Sequence, residues 1–477
     1  MERYKKGCSR NQIPLIPMCL EDLISEDAEV RALDIIIEKM DISALGFTHS
    51  KAKQTGRKAY DPGDMFKLYA YSYFNGIRSS RKIERECNRN IEIMRLIGGL
   101  KPDFKTIADF RKDNKEAIKA AFRRFSMICC ELGLVSKELV AVDGSKFRAS
   151  NSRFKYNSHK KIEEKIKHHT ESAEKYMELL DIYDKEETKQ PELTKEEILE
   201  KIEYINGRMH ELSELKTEVL ENGTIYETDS DSRMMKMNNN GCDICHNVQI
   251  AVDDNNHLVI AVDVTSQQVD KEQLYNMASQ AKEIMNAETI SVIADKGYYS
   301  AKQFKQCENA GIKPIVSKAD HSNAAASEEY SKEKFEYNEE MDAYICPEGQ
   351  VLRRRKSGNR SKYKDYPTYA NQIACQKCDV HNKCTKGKNR NISDQPLQAY
   401  ARIVDVRTKE KIHMYRRRKQ LAEHPFGTVK RALGFTYFLT RGNANVKTES
   451  LLHFLIYNMK RMINILGMQG IKEALQG

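Results

Sequence analysis

The spacing of apolar residues changes several times along the chain, and each change marks a different kind of element. From Pro62 to Phe125 apolar side chains recur at helical spacing (Phe66, Leu68, Tyr69, Tyr73, then Ile83, then Ile91, Met94 and Leu96), with Arg and Lys between them. Gly76, the Gly98-Gly99 pair and Pro102 divide this stretch into short helices, so residues 1–132 are expected to be an all-α N-terminal domain. At Leu139-Val140-Ala141-Val142 the pattern becomes a continuous apolar run ending in Asp143-Gly144-Ser145. That predicts a buried strand that delivers a carboxylate and then turns at the edge of a sheet. Helical spacing returns in two sets: Ile162, Ile166, His169, Ala173, Tyr176 and Leu180, then Ile198, Ile202, Ile205, Met209, Leu212, Lys216 and Val219. Pro191 lies between them, which predicts an antiparallel helical hairpin over 156–222 with a narrow apolar seam and a solvated Glu/Lys face.

Strand patterns resume beyond the hairpin. Asn247 to Val252 and Leu258 to Val262 flank the turn-rich Asp253-Asp254-Asn255-Asn256-His257, as in a β-hairpin. A helix is expected from about Lys271 to Asn286, a strand from Thr289 to Ala294 that ends in Asp295, a short helix over Ser300–Asn309, and a strand over Lys313–Ser317. Three early strands followed by alternating helix and strand describe an α/β fold with a ribonuclease-H-like mixed sheet. Its first part would span 133–324, a polar, basic, Cys-bearing insertion 325–395, and a helical second part 396–477.

Composition narrows the partners. The 477 residues carry 79 Lys+Arg against 69 Asp+Glu, a net charge of +10 that suits a polyanion without requiring one. The basic faces of the N-terminal helices are consistent with DNA-end binding, or with packing and oligomerisation alone. No long apolar run and no charged-then-apolar leader is present, so a soluble, unexported, cytoplasmic protein with no membrane partner is expected. The 12 cysteines are scattered, and their close pairs are spaced for metal or for buried thiols rather than for disulfides.

Candidate chemistry starts from Asp143 and Asp295, each at the end of a predicted strand, with the two strands expected to be near neighbours. A third carboxylate, Glu423, lies in a helical segment flanked by Tyr415-Arg416-Arg417-Arg418-Lys419 and Lys430-Arg431. An Asp at a strand end is commonly a cap, and a Glu in a basic helix is commonly a surface ion-pair partner. Taken together, the order strand-Asp, hairpin, strand-Asp, helix-Glu is what two-metal phosphodiester chemistry requires. Hard divalent ions prefer oxygen ligands, and two of them about 4 Å apart need a bridging carboxylate and flanking ones.

The chain resembles the DDE transposases of bacterial insertion sequences along nearly its whole length. The resemblance is carried by Ala141-Val142-Asp143-Gly144-Ser145-Lys146, Cys245-His246-Asn247-Val248-Gln249-Ile250-Ala251-Val252-Asp253, Ala294-Asp295-Lys296-Gly297-Tyr298 and Glu423-His424-Pro425-Phe426-Gly427-Thr428-Val429-Lys430. Asp103 to Arg111 is similar to the helical domain that precedes the catalytic core in that family. The resemblance implies Mg²⁺ or Mn²⁺ held by Asp143, Asp295 and Glu423, strand cleavage at the element's terminal repeats, and transfer to target double-stranded DNA. The related signature Tyr-x2-Arg-x3-Glu-x6-Lys is matched by Glu423 and Lys430, whereas Tyr415-x2-Arg418 sits one residue early. On an ideal helix Arg416, Lys419, Glu423 and Lys430 share a stripe that Arg418 does not, so Lys419 fits the Arg position better. Pro425 removes a helical hydrogen bond just after Glu423. Tyr415, Arg416, Arg418, Lys419 and Lys430 are the DNA-binding candidates, Lys430 foremost as a phosphate contact.

Cys346-Pro347-Glu348-Gly349 and Cys375-x2-Cys378-x5-Cys384 supply four thiols in two clusters, a set that suits a closed, tetrahedral structural Zn²⁺, with His381 able to replace one Cys. Cys242 and Cys245 are expected to pack rather than bind metal. Arg353, Arg354, Arg355, Lys356, Arg360, Lys362 and Lys364 beside the four thiols suit backbone phosphates or a solvated loop. Two readings follow: an active transposase, acting as a homodimer that holds two DNA ends in the nucleoid, or a transposase-derived DNA-binding protein without turnover.

Overall fold

The computed structural model describes residues 19–48, 58–185, 193–237, 241–318, 328–355, 367–394 and 397–476. Pro191 and, in the basic stretch, Lys356, Arg360, Lys362 and Lys364 lie outside them. The sheet is built from β1 (Leu139–Arg148), β2 (Cys242–Asp253), β3 (Val259–Thr265), β4 (Ile290–Ala294) and β5 (Ile312–Val316). Their spatial order is β3-β2-β1-β4-β5. The first three are antiparallel, and β4 and β5 join parallel to β1. This is the ribonuclease-H-like mixed sheet expected from the order of elements. A further short strand, Arg233–Lys236, pairs with the start of β2 where β3 does not reach.

The two faces of the sheet are covered unequally. Val140 and Val142 of β1, with Val292 and Ala294 of β4, join a large apolar core shared with the helix Leu274–Met285, the last helix (Asn443–Gln476) and the N-terminal helices. The helices before β1 (Glu29–Lys39, Pro62–Phe74, Ser80–Cys87, Ile91–Leu96, Phe104–Asp113 and Lys115–Glu131) thus have a core continuous with that of the sheet. Their starts follow local chemistry: Asp61 caps the helix that opens with Pro62, and the Asp103 carboxylate accepts from Thr106 N at 2.8 Å. Gly76, Gly98 and Gly99 have positive φ at the breaks they were expected to make.

The opposite face is thinner. Leu139, Ala141, Ile293 and Ile315 meet Leu421, with Met414 and Tyr415 packed alongside, all three on the helix Ile412–Arg431 that lies over β1 and its neighbours.

One local expectation is corrected. There is no turn at Asp143–Ser145: β1 runs on to Arg148, with Gly144 opposite Gln249 and Lys146 opposite Asn247. β2 is long enough to keep offering backbone partners, so the polar Asp-Gly-Ser triplet stays in the ladder and Asp143 sits mid-strand in the middle of the sheet.

The helical hairpin is present as His159–Lys185 and Lys195–Asn222. Thr194 and Glu197 form a reciprocal cap, and Ile162, Leu212 and Val219 form a small core of their own. The Cys-bearing insertion contains an antiparallel sheet of five strands that its sequence did not announce. Each strand is only three or four residues long, too short to display an alternation; Tyr344, Leu352, Tyr369 and Ile392 fill its core.

Leu421 is the most buried side chain that the Ile412–Arg431 helix contributes to the small cluster on this face, at 2% exposed. Leu421→Ala is expected to cost about 2–4 kcal/mol, read as a fall in denaturation midpoint. A loss well under 1 kcal/mol would show that the helix does not depend on this contact.

Candidate active site

β1 and β4 run side by side in parallel with Val142 opposite Ala294. The next residues are Asp143 and Asp295, so backbone geometry alone sets their Cα atoms about 5 Å apart. Alternation puts both on the face that carries Leu139, Ala141 and Ile293, beneath the Ile412–Arg431 helix. Asp143 is half-buried, and burial first of all pushes its carboxyl up to about 7. The Gly144 N–H, donated to Asp143 Oδ1 at 2.8 Å, opposes this; the carboxylates of Asp295 and Asp270 add to it. The Asp295 carboxylate accepts from Gly297 N at 2.8 Å, which fixes the turn after β4.

Asp270 was not legible as a site residue. Its Oδ1 accepts from Asn247 Nδ2 at 2.6 Å, Gln249 Nε2 at 2.7 Å and Lys146 Nζ at 3.2 Å. Tyr298, fully buried, donates its hydroxyl to Gln249 Oε1. This network passes directly beneath Gly144, where a Cβ would come 2.2 Å from Gln249 Nε2 and 2.9 Å from Asp270 Oδ1. Glycine follows Asp143 because an amide crosses there, not because the chain turns. The available signal was Asn247 and Gln249, two amides at i and i+2 in an otherwise apolar strand.

The basic helix divides its residues differently from the ideal stripe. Arg416, Lys419 and Glu423 are exposed together, as that stripe requires. Lys430 instead turns inward: its Nζ donates to Ser145 Oγ at 2.6 Å and to the Lys146 carbonyl at 3.2 Å, and lies 4.4 Å from the Phe147 ring centre. Burial lowers its pKa, with Cys245 and Asp143 opposing. Arg418 also bears on Asp143, lowering its pKa, and it stacks over Tyr415 at 4.9 Å with Nε buried and unpartnered. Lys419, favoured by helical spacing for the Arg position, points outward, 74% exposed, 3.9 Å from Glu423.

Glu423 is itself 64% exposed. It lies seven residues, about 10 Å of helix, before Lys430, and Asp143 two residues, about 7 Å of strand, before Ser145, the Lys430 partner. Glu423 is on the outer side of its helix. The structure gathers Asp143 and Asp295 and leaves Glu423 outside the pair. Among the described residues no three His, Cys, Asp or Glu side chains are arranged to hold a metal ion.

In the insertion, Cys346, Cys375, Cys378 and Cys384 line one cavity of 30 Å³ together with His381. Burial raises the Cys384 thiol; Arg390 lowers it, and the other three cysteines raise it again. The four sulfurs converge without forming a ligand set. Cys245 is buried in packing, 3.5 Å from Met237 Sδ, as expected of it.

The fold is an α/β one whose ribonuclease-H-like sheet carries two aspartates side by side on its neighbouring strands β1 and β4. Residues 18–113 match a family model described as a transposase domain (DUF772), and residues 224–459 one described as a transposase DDE domain. No curated protein matches. A cryo-EM structure of a piggyBac transposase synaptic complex with hairpin DNA is similar at 8% identity, covering 94% of this chain and 79% of that one, with a TM-score of 0.31. The chain belongs to the DDE transposases.

The raised Asp143 carboxyl has a pH consequence. The unfolded chain releases this proton near pH 4 and the folded protein only near 7, so the group subtracts stability as pH rises through that window. Asp143→Asn is expected to stabilise the metal-free protein at pH 8 by about 1–2 kcal/mol, allowing for partial solvent screening, and to make little difference at pH 4. A melting-temperature gap that stayed constant from pH 4 to 8 would contradict this cause.

Proposed function

We propose that this transposase cuts DNA at the ends of a mobile element and joins those ends to target DNA. The reading rests on one observation: Asp143 and Asp295 lie side by side on the sheet face beneath the helix that bears Glu423. Paired carboxylates that repel one another are a fitting seat for a hard cation, whose arrival relieves that repulsion. Asp143 and Asp295 would hold Mg²⁺ or Mn²⁺, with Glu423 completing the set once its side chain leaves Lys419 and turns inward. Such ions, when bound, activate the attacking hydroxyl and stabilise the leaving oxygen.

The remaining residues of the helix divide by position. Tyr415, Arg416, Arg418, Lys419 and Lys430 are the proposed DNA contacts. Arg416 and Lys419 are free to reach phosphates from the exposed side, whereas Arg418 and Lys430, turned toward the sheet, balance the charge of the aspartates. The N-terminal helices, 1–132, would read the terminal repeats, and paired cutting of two ends calls for a homodimer on double-stranded DNA. No described helix is long and apolar enough to cross a membrane; a protein acting on the element's DNA would be cytoplasmic and nucleoid-bound. The four cysteines lining one cavity suit a structural Zn²⁺ that would close the insertion, and exposed Arg353, Arg354 and Arg355 lie on the strand beside it or just after it.

A second reading, a DNA-binding derivative without turnover, is favoured by a single feature, the outward Glu423. A Mg²⁺-dependent nicking assay on DNA carrying the element's ends separates the two. Asp143→Asn, Asp295→Asn and Glu423→Gln should each cut at least about 100-fold more slowly while still binding that DNA. If the wild-type protein binds the ends and never cuts them, the second reading holds.

Metal analysis of the purified full-length chain should find one zinc per chain, lost in Cys378→Ser. A folded wild-type protein free of zinc would remove that assignment.

A further inference from the structure

Asp143 and Asp295 are oriented in the same way, each by the N–H of a glycine that follows it. Gly144 N donates to Asp143 Oδ1 and Gly297 N to Asp295 Oδ1, both at 2.8 Å. Neither glycine has room for a side chain. A Cβ at Gly297 would come 2.9 Å from Asp295 Oδ1, and one at Gly144 would come 2.2 Å from Gln249 Nε2. Beyond the glycines, the two stretches of chain meet on one side chain. Gly144 lies against the amide of Gln249, its partner across β2. Tyr298, whose N–H bonds back to the Asp295 carbonyl at 3.1 Å, donates its hydroxyl to Gln249 Oε1.

The amide can serve both only in one orientation. Its Nε2 donates to Asp270 Oδ1 at 2.7 Å and to Asn247 Oδ1 at 3.0 Å. A carboxylate only accepts, so Asp270 turns the nitrogen of Gln249 toward itself and leaves the oxygen for Tyr298. Asn247 is fixed by the same rule: its Nδ2 donates to Asp270 Oδ1 at 2.6 Å and to the Gln267 carbonyl at 3.1 Å, so its oxygen is left to accept from Gln249. Asn247, Gln249 and Tyr298 are fully buried. Buried polar groups cost stability unless each finds a partner, and apolar side chains would fill the same space without that risk. What the hydrogen bonds add is direction, and here the direction runs from the strand of Asp143 to the turn of Asp295.

We propose that Gln249, held in one orientation by Asp270, is a positioning residue: through Gly144 and Tyr298 it fixes the spacing of the Asp143 and Asp295 carboxylates. This inference rests on the reading of those two aspartates as the seat of a metal ion, and its test separates the two. Tyr298→Phe keeps the ring and removes only the hydroxyl. Gln249→Met keeps the length of the side chain and removes the amide.

The full-length wild-type protein, both single variants and the double variant are compared by melting temperature, by Mn²⁺ binding without DNA followed by electron paramagnetic resonance, and by strand-cleavage kinetics. Each single variant should lower Mn²⁺ affinity and kcat about tenfold or more, with KM for DNA changed less than about twofold. Both substitutions break the same link, so the double variant should be within about twofold of the more affected single one. Losses that multiply in the double variant would overturn the proposal. So would a lower melting temperature with wild-type Mn²⁺ affinity in Tyr298→Phe while Asp143→Asn binds Mn²⁺ poorly, and that comparison decides alone if Gln249→Met does not fold. Wild-type Mn²⁺ affinity in both Asp143→Asn and Asp295→Asn would instead remove the reading beneath it.

Discussion

The pairing of β1 with β4 is the constraint on which the rest of the site depends. Two parallel strands locked at Val142–Ala294 leave their following residues no choice of neighbour, so Asp143 and Asp295 are held together by backbone hydrogen bonds rather than by any attraction of their own. Their mutual repulsion is carried by the fold. The inner face of the same strands is packed into the large core, and the amide and carboxylate network under Gly144 fills the space behind Asp143. Strand register and glycine together make a rigid seat for two like charges.

The helix over this seat is held very differently. Leu421 packs it into the small cluster on the sheet, Phe426 and Val429 join the large core beside Phe147, and polar contacts add to these. Arg417 ties it to the β2–β3 turn, the stacked His257 and His424 rings and Tyr457 hold it beside that turn, and Lys430 fixes its far end to Ser145. Pro425 interrupts the hydrogen-bond ladder of this helix between those anchors. That is where Glu423 lies.

The surrounding parts serve the sheet to different degrees. The N-terminal helices and the last helix share its main core, and Arg78, buried, donates to the Tyr437 carbonyl at 2.8 Å and lies 3.8 Å from Glu449 of the last helix. The helical hairpin and the Cys-bearing insertion each bring a small core of their own. In the insertion, tyrosines 337, 344 and 369 stack edge to face beneath Arg402, which joins the insertion to the helix that follows it.

Amino-acid order by itself determined the sequence of elements, because periodicity is a local property: the strand of Asp143, the hairpin turn at 253–257, the strand before Asp295 and the two long helices of 156–222 all follow from spacing and caps. It also determined which carboxylates could belong together, since strands adjacent in a ribonuclease-H-like order bring their ends together. Tertiary structure alone decided the rest. Asp143-Gly144-Ser145 reads as a turn until a long β2 is there to keep pairing with it, and Asp270 reads as a loop residue until the fold carries it under Gly144. Helical spacing puts Lys430 on the same stripe as Lys419 and Glu423, yet contact with β1 turns Lys430 inward and leaves the other two in water. The five short strands of the insertion depend on pairing with one another, which no window of three or four residues can contain. Local pattern sets what each segment can become; which face a side chain presents, and to whom, depends on contacts between segments that are distant in the chain.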